Sequence, residues 1–425
     1  MRPGRRAATL PAMSHEPKTV ILGGGFGGAY VARLLGKRGA TIVSPDSAML
    51  YTPVLPEVAA GALAPRNAVV PLRMMCPHAE LVRGRAVALD EDARTVSVET
   101  ELGPVELPYE RLVLALGAVP RTPPIPGLRE HGLEFKRLGD AINLRNHVLH
   151  QLELAEADRA NAERHLSFVF VGAGYAGVEA LAELQQLVHD ASRHYESLRT
   201  VPQRWVLVDG GPKVLAEVPE RLARYTDALM RKRGVDLRLG TRLDEVEVDG
   251  VTLSDGTRIE TETLVWTAGV APNPLLADLG LPLDERGRVV VDASLRVHDR
   301  DDVWALGDCA RVPNLATPER PDPPTCQHAL RQARRMVKSM RGKGKPYRYR
   351  SLGQGATLGR DKGIASVLGI KVRGLLGQVI IRAYHLHQVP VASRRLRVLA
   401  DGIVATLSRR DIAELGPYER VAVPA

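Results

Sequence analysis

Residues 18–28 read KTVILGGGFGG, and the reading of this stretch decides the fold. Val20, Ile21 and Leu22 form a short apolar run suited to a buried parallel strand. The run enters a turn in which Gly23, Gly25 and Gly28 satisfy G-x-G-x-x-G, with Phe26 and Gly27 between them. Residues 29–37 then have the spacing of a helix with one apolar face. In a strand–turn–helix setting each glycine has a task. Gly23 makes the tight turn, Gly25 lets a pyrophosphate approach the backbone, and Gly28 lets the helix close on the strand. The N–H groups opening the helix then face an anion. A glycine-rich surface loop is the competing reading. It loses ground because residues 166–184, LSFVFVGAGYAGVEALAEL, repeat the event: strand 168–171, then Gly172, Gly174 and Gly177, then helix 178–187.

Other segments fit around these two turns. ATIV at 40–43 reads as the second strand, where a carboxylate for the adenosine ribose is expected at its end. Ser44 stands there, with Asp46 two residues on. In the second unit, strand 205–208 ends in Asp209, which would grip a ribose 2′-OH and repel a 2′-phosphate, favouring NADH over NADPH. Each unit closes on a strand ending in glycine, RLVLALG at 111–117 with Ala115 and Gly117, and TLVWTAG at 263–269 with Gly269. Residues 303–310, VWALGDCA, carry Asp308 where it could hold a polyol. Residues 50–61, punctuated by Pro53 and Pro56, read as a loop and short helix near the ligand. Short β runs are expected over 81–105, and a hairpin over 251–259 turning at Asp255-Gly256. The Pro-rich stretch 318–324 leads into a helix at 327–340. Two dinucleotide turns in one chain imply a redox pair, typically FAD with NAD(P), and Asp209 favours NAD.

Composition bounds the alternatives. At 425 residues the chain can hold two or three domains with proper cores. Cys76, Cys309 and Cys326 fit neither a disulfide scaffold nor a zinc cluster. Cys309 and Cys326 read as small buried residues. A metal site at His385-Leu386-His387 lacks a third ligand. No apolar window is long enough to span a bilayer. Residues 1–17 read as a leader without a signal peptide's apolar core, with Met13 as an alternative start.

The chain resembles the two-dinucleotide flavoproteins among the pyridine-nucleotide oxidoreductases, and within them type II NADH:quinone oxidoreductases, over about residues 18–410. The residues that carry the likeness are the two glycine turns, the Gly307-Asp308 segment, LVWTAGV at 264–270, Gly177-Val178-Glu179, and PTCQHALRQA at 324–333. The resemblance implies an α/β fold of two Rossmann-like dinucleotide-binding domains, a discontinuous FAD domain with an inserted NAD domain, plus a C-terminal α+β region. Implied boundaries are 18–135 and 271–340 for FAD, 136–270 for NAD, and 341–425 for the basic C-terminal part. It also implies hydride transfer from NADH to FAD, then electron transfer to a quinone without proton pumping. Asp308 would sit on the ribityl chain. Glu179, Gln327 and Gln332 would serve at the reacting rings, and Pro53 and Val87 complete the expected cofactor contacts. Arg331 and Cys326 stand where the family more often has Gln and Ala. A reductase for an iron–sulfur protein or for oxygen, or a redox-sensing flavoprotein, would use the same two turns. A sulfide:quinone enzyme would need a close cysteine pair.

Charge is uneven. Between Arg331 and Arg410 there are 19 Lys and Arg against Asp361 and Asp401, whereas the whole chain carries +9. Leu375, Leu376, Val379, Ile380, Ala383 and Leu386 fall on one helical face, opposite Gln378, Arg382 and His385. Leu399, Ile403 and Leu407 form a second stripe. An apolar stripe with a basic flank suits a helix lying on an anionic membrane; packing of both stripes as core is the competing reading. Expected partners are therefore NADH, a quinone and a membrane surface on the cytoplasmic side. No nucleic acid is expected, and a homodimer is left open.

Overall fold

The apolar run Thr19–Leu22 is a fully buried strand inside a seven-stranded sheet. The computed structural model describes residues 19–416, so the expected leader lies outside the described residues. The sheet runs in the order Val303–Ala305, Arg111–Leu114, Thr19–Leu22, Thr41–Ser44, Glu80–Asp90, Thr95–Thr100, Gly103–Pro108. The first five strands pair in parallel. Their interior members are continuous Val/Ile/Leu runs, as strands covered on both faces must be. The last two return antiparallel. This sheet belongs to a unit formed from three stretches: the chain through Met49, Val70–Val119 and Ala271–Arg350. The helices Phe26–Leu35 and Cys326–Met340 pack on each other within it.

The other unit comprises Leu50–Val69, Pro120–Val270 and the chain from Ser351 onward. Its sheet is wholly parallel, in the order Gly132–Glu134, Thr263–Trp266, Ser167–Val171, Arg204–Asp209, Val235–Leu239. Trp205 stacks on Phe168 at 4.5 Å between ring centres. The expected hairpin is present as Gly250–Leu253 and Arg258–Glu260. The C-terminal region adds an antiparallel sheet, Gly353–Thr357, Gly363–Val367 and Ile370–Arg373, followed by the helices Leu375–Gln388 and Ala392–Leu407.

The division differs from the boundaries expected from sequence. Residues 50–69 and 120–135 fall with the second unit, and 341–350 with the first. Packing explains the first of these, because the helix Leu55–Ala59 lies against Tyr175–Ala191 and Leu138–Ala157.

Candidate functional site

The two glycine turns are the same device built twice. Gly23 has φ +111° and donates its N–H to Val43 O at 2.8 Å; Gly172 has φ +112° and donates to Val208 O at 2.8 Å. Only glycine holds that backbone without strain. A Cβ on Gly28 would lie 1.9 Å from Gly23 O, and one on Gly177 would lie 1.9 Å from Gly172 O. Each helix therefore sits so close on its strand that no side chain fits between them. A Cβ on Gly25 or on Gly174 would meet nothing within 4 Å. No side chain caps either helix at these residues. Each turn thus presents an open, backbone-lined cradle at a helix N-terminus, which is what a pyrophosphate requires.

In the first unit the parallel strands end together at this cradle. Ala115 N–H bonds Leu22 O, and Leu306 N–H bonds Leu114 O. A Cβ on Gly27 would lie 3.1 Å from Leu306, so the segment leading into Gly307-Asp308 rests on the glycine turn. Gly117, at φ +65°, ends the adjacent strand region. Ser44 is buried, and a Cβ on Gly24 would come within 2.7 Å of its hydroxyl; Asp46 is exposed. Of the two candidates at this strand end, Ser44 is the one that touches the turn. Val87 lies at a register shift in the strand Glu80–Asp90 and is partly exposed. Pro53 falls in the second unit, in the turn Thr52–Val54.

Gln327 and Gln332 share the helix Cys326–Met340 but have different surroundings. Gln327 is half-buried in its first turn. Gln332 is 2% exposed and has both ends of its amide engaged. Its Oε1 accepts Gly307 N–H at 2.8 Å and its Nε2 donates to Asp322 Oδ2 at 2.9 Å. Asp322 Oδ1 accepts from Asn314 Nδ2 at 2.8 Å. Gln332 therefore fixes the Gly307-Asp308 turn in place. Asp322 and Asn314 had no sequence signal, since they lie in a Pro-rich linker and beside it.

In the second unit Asp209 is aimed at the glycine turn by two backbone donors. Ala173 N–H and Gly211 N–H each reach one carboxylate oxygen at 2.6 Å. Gly269, at φ +90°, follows the strand Thr263–Trp266, and its carbonyl accepts Arg121 N–H at 3.3 Å. Glu179 lies just inside the helix opened by Gly174 and is 9% exposed. Its Oε1 accepts the Thr357 N–H at 2.7 Å and the Thr357 hydroxyl at 3.2 Å. Burial, and then the nearby Glu57, raise its carboxyl well above the usual range. Sequence reasoning missed Glu57, Glu183 and Arg410, all buried in this unit. Glu183 carried one usable signal: it lies one turn beyond Glu179 on the same helix face.

The cysteines do not form a redox centre among the described residues. All three are free, and burial pushes the thiols of Cys309 and Cys326 up to about 11. A neutral thiol is a poor nucleophile. No group of His, Cys, Asp and Glu among the described residues could hold a metal ion.

A probable NADH dehydrogenase of Dictyostelium discoideum is 28% identical over 414 residues, covering 93% of this chain and 91% of its own. The type II NADH:quinone oxidoreductase Ndh of Mycobacterium tuberculosis is 28% identical over 437 residues, covering 96% and 92%. The solved structure of NDH2 from Plasmodium falciparum in complex with NADH matches with a TM-score of 0.87, covering 94% of this chain and all of that one. At 16% identity that likeness is one of fold. The model of the family described as pyridine nucleotide-disulphide oxidoreductase matches residues 17–333, which hold both glycine turns and the Gly307-Asp308 segment, and the chain belongs to that family.

Proposed function

We propose that this chain is a flavin-dependent NADH:quinone oxidoreductase that converts NADH, one proton and a quinone to NAD and quinol without proton pumping. The observation that carries this is the doubled cradle, one at Gly25 and one at Gly174, each at the C-terminal ends of parallel strands. The name of the Mycobacterium tuberculosis relative supplies the acceptor class. FAD, held by the first turn, supplies hydride acceptance and onward electron transfer. Gly23 and Gly28 shape its pyrophosphate cradle, Ser44 faces its ribose, and Asp308 its ribityl chain, with Gln332 holding the Gly307 backbone. Asp209, fixed by Ala173 and Gly211, selects the 2′-OH of NADH. Glu179 is the carboxyl on the nicotinamide side, and Gln327 the polar group on the acceptor side.

Purified protein should be yellow and release FAD. NADH should bleach it, NADPH should do so less efficiently, and a quinone analogue should restore the colour. A folded, colourless protein that takes up no FAD would overturn the reading. Reoxidation by oxygen or an iron–sulfur protein but by no quinone would move the acceptor to another class.

The acceptor's solubility gives the C-terminal helices a purpose. No helix among the described residues is long and apolar enough to cross a membrane. Yet each of the two C-terminal helices turns a polar side chain toward the unit and leaves large apolar ones exposed. In Leu375–Gln388, Gln378 is buried and donates to Gly359 O at 2.8 Å, while Leu375, Leu376 and Val379 are exposed. In Ala392–Leu407, Asp401 accepts from Ala64 N–H and Asn67 Nδ2, while Leu396, Ile403 and Leu407 are exposed, Leu407 by 82%. Most of both stripes is thus exposed, which supports attachment over packing as core. Arg394, Arg395 and Arg397 flank the second stripe. Exposed apolar faces with a basic margin suit peripheral attachment to an anionic bilayer, each cation contributing about 1 kcal/mol. The protein should co-sediment with anionic vesicles at low salt, less so at high salt. Leu396→Ser with Ile403→Ser and Leu407→Ser should weaken binding at least tenfold. No binding by the unmutated chain at low salt would refute the attachment.

A further inference from the structure

The helix Leu55–Ala59 packs on Tyr175–Ala191, and three carboxyls share the buried ground there: Glu57, Glu179 and Glu183. Three like charges cannot all persist in so dry a place. Their hydrogen bonding is unequal. Glu179 is held by Thr357, whereas Glu57 Oε2 and Glu183 Oε1 are buried with no hydrogen-bond partner. Glu183 Oε2 instead takes Arg410 Nη2, from the segment that follows the last helix. That segment is firmly seated. Arg410 N–H bonds Asp190 at 3.2 Å, Asn146 holds Leu415, and the guanidinium of Arg145, on Leu138–Ala157, donates to the carbonyls of Asp411 and Ala413. Arg410 is 5% exposed, and its Nε and Nη1 have no partner.

We propose that Arg410 is a positioning residue for the reaction: by pairing with Glu183 it confines the trio's protons to Glu57 and Glu179. The remaining charged groups around the trio fit this division. Arg382, on Leu375–Gln388, acts on Glu57, and Arg233, beyond Glu220–Lys232, on Glu183. Arg233 already spends its guanidinium on Leu358 O and Ala182 O. Tyr175 stays a neutral phenol, raised by burial and then by Glu217 and Glu179. Burial and then the charge on Glu183 push Glu57 up to about 7, against the weaker pull of Arg382 and Arg410. The trio thus exchanges a proton near neutrality, next to the carboxyl read above as lying on the nicotinamide side. The inference rests on that reading only for its effect on turnover.

The test is infrared titration of the carboxylic-acid band in the flavin-loaded protein, run beside the pH profile of flavin reduction by NADH. Loss of band intensity in E57Q and in E179Q assigns it. In R410M/E183Q both charges are gone, and the stronger of the two influences on Glu57 goes with them. The midpoint should fall by roughly one pH unit, and the rate profile should move with it. R410K, which keeps the charge, should leave the midpoint in place. An unchanged midpoint in folded R410M/E183Q overturns the proposal, since a merely structural clasp would give that result. If the double variant does not fold, E183Q decides with the same sign: removing the like charge beside Glu57 must lower the midpoint, and no shift overturns the proposal. A midpoint that moves while the rate profile stays put overturns the role of Arg410 in the reaction and leaves only its pairing with Glu183.

Discussion

Gly28→Ala should purify with much less flavin, and Gly177→Ala should stay yellow but need a far higher NADH concentration for reduction. In both cases the new Cβ would fall 1.9 Å from a backbone carbonyl, that of Gly23 or of Gly172. No rotamer change relieves such a contact, because the obstacle is main chain at φ +111° or +112° in a turn hydrogen-bonded to the neighbouring strand. The helix must lift from the sheet, which carries the leading N–H groups away from the cradle. Overpacking of this kind costs about 1–3 kcal/mol, equivalent to roughly a five- to 150-fold loss of affinity if it falls on the cofactor site alone. Gly174→Ala is the companion variant. Its Cβ meets no protein atom, so folding should be untouched, yet it occupies the space assigned to the pyrophosphate. Bound flavin is read by absorbance and NADH binding by KM. Full flavin content in Gly28→Ala, or an unchanged KM for NADH in Gly174→Ala, would mean that the cradles do not hold these cofactors.

The glycine turns were legible in the sequence because their constraint is local. Strand, turn and helix follow one another within about 20 residues, and each glycine answers a clash with a neighbour a few positions away. The helix after the second turn begins at Tyr175 and not at Val178, because Gly177 looks like a helix breaker to propensity and is retained by close packing. What escaped reading depends on partners distant in sequence. Gln332 was visible as a helical residue, but Gly307 and Asp322, which occupy its amide, were not. Arg145 and Arg410 are charged residues that pattern reading places in solvent. Both are buried because carbonyls and a carboxylate over 200 residues away receive them. The C-terminal stripes were legible as stripes, but periodicity defines a face without saying what covers it. In this unit, Gln378 and Asp401 turn inward and the leucines outward.

Glu57 is the residue whose burial the sequence concealed most, set in a proline-punctuated apolar run, and it should give this protein an unusual dependence of stability on pH. Its carboxyl is raised from 4.5 to about 7, first by burial and then by Glu183. The folded state therefore binds a proton that the unfolded state releases at lower pH. The contribution of such a group is fully present below the unfolded value and is lost as pH rises through the folded one, here between about 4.5 and about 7. A shift of that size amounts to about 3 kcal/mol, reached above pH 7.5. Glu57→Gln removes the ionisation while keeping the shape. It should therefore be close to neutral at pH 5 and stabilising by roughly 2–3 kcal/mol at pH 8, before any loss of function is considered. Chemical denaturation of both proteins with flavin bound, at pH 5 and at pH 8, reads the difference directly. The gap between their midpoints should widen as pH rises. A gap that stays constant between the two pH values would show that Glu57 titrates in the folded protein as it does in the unfolded chain, and that its carboxyl is not held in the dry surroundings described for it.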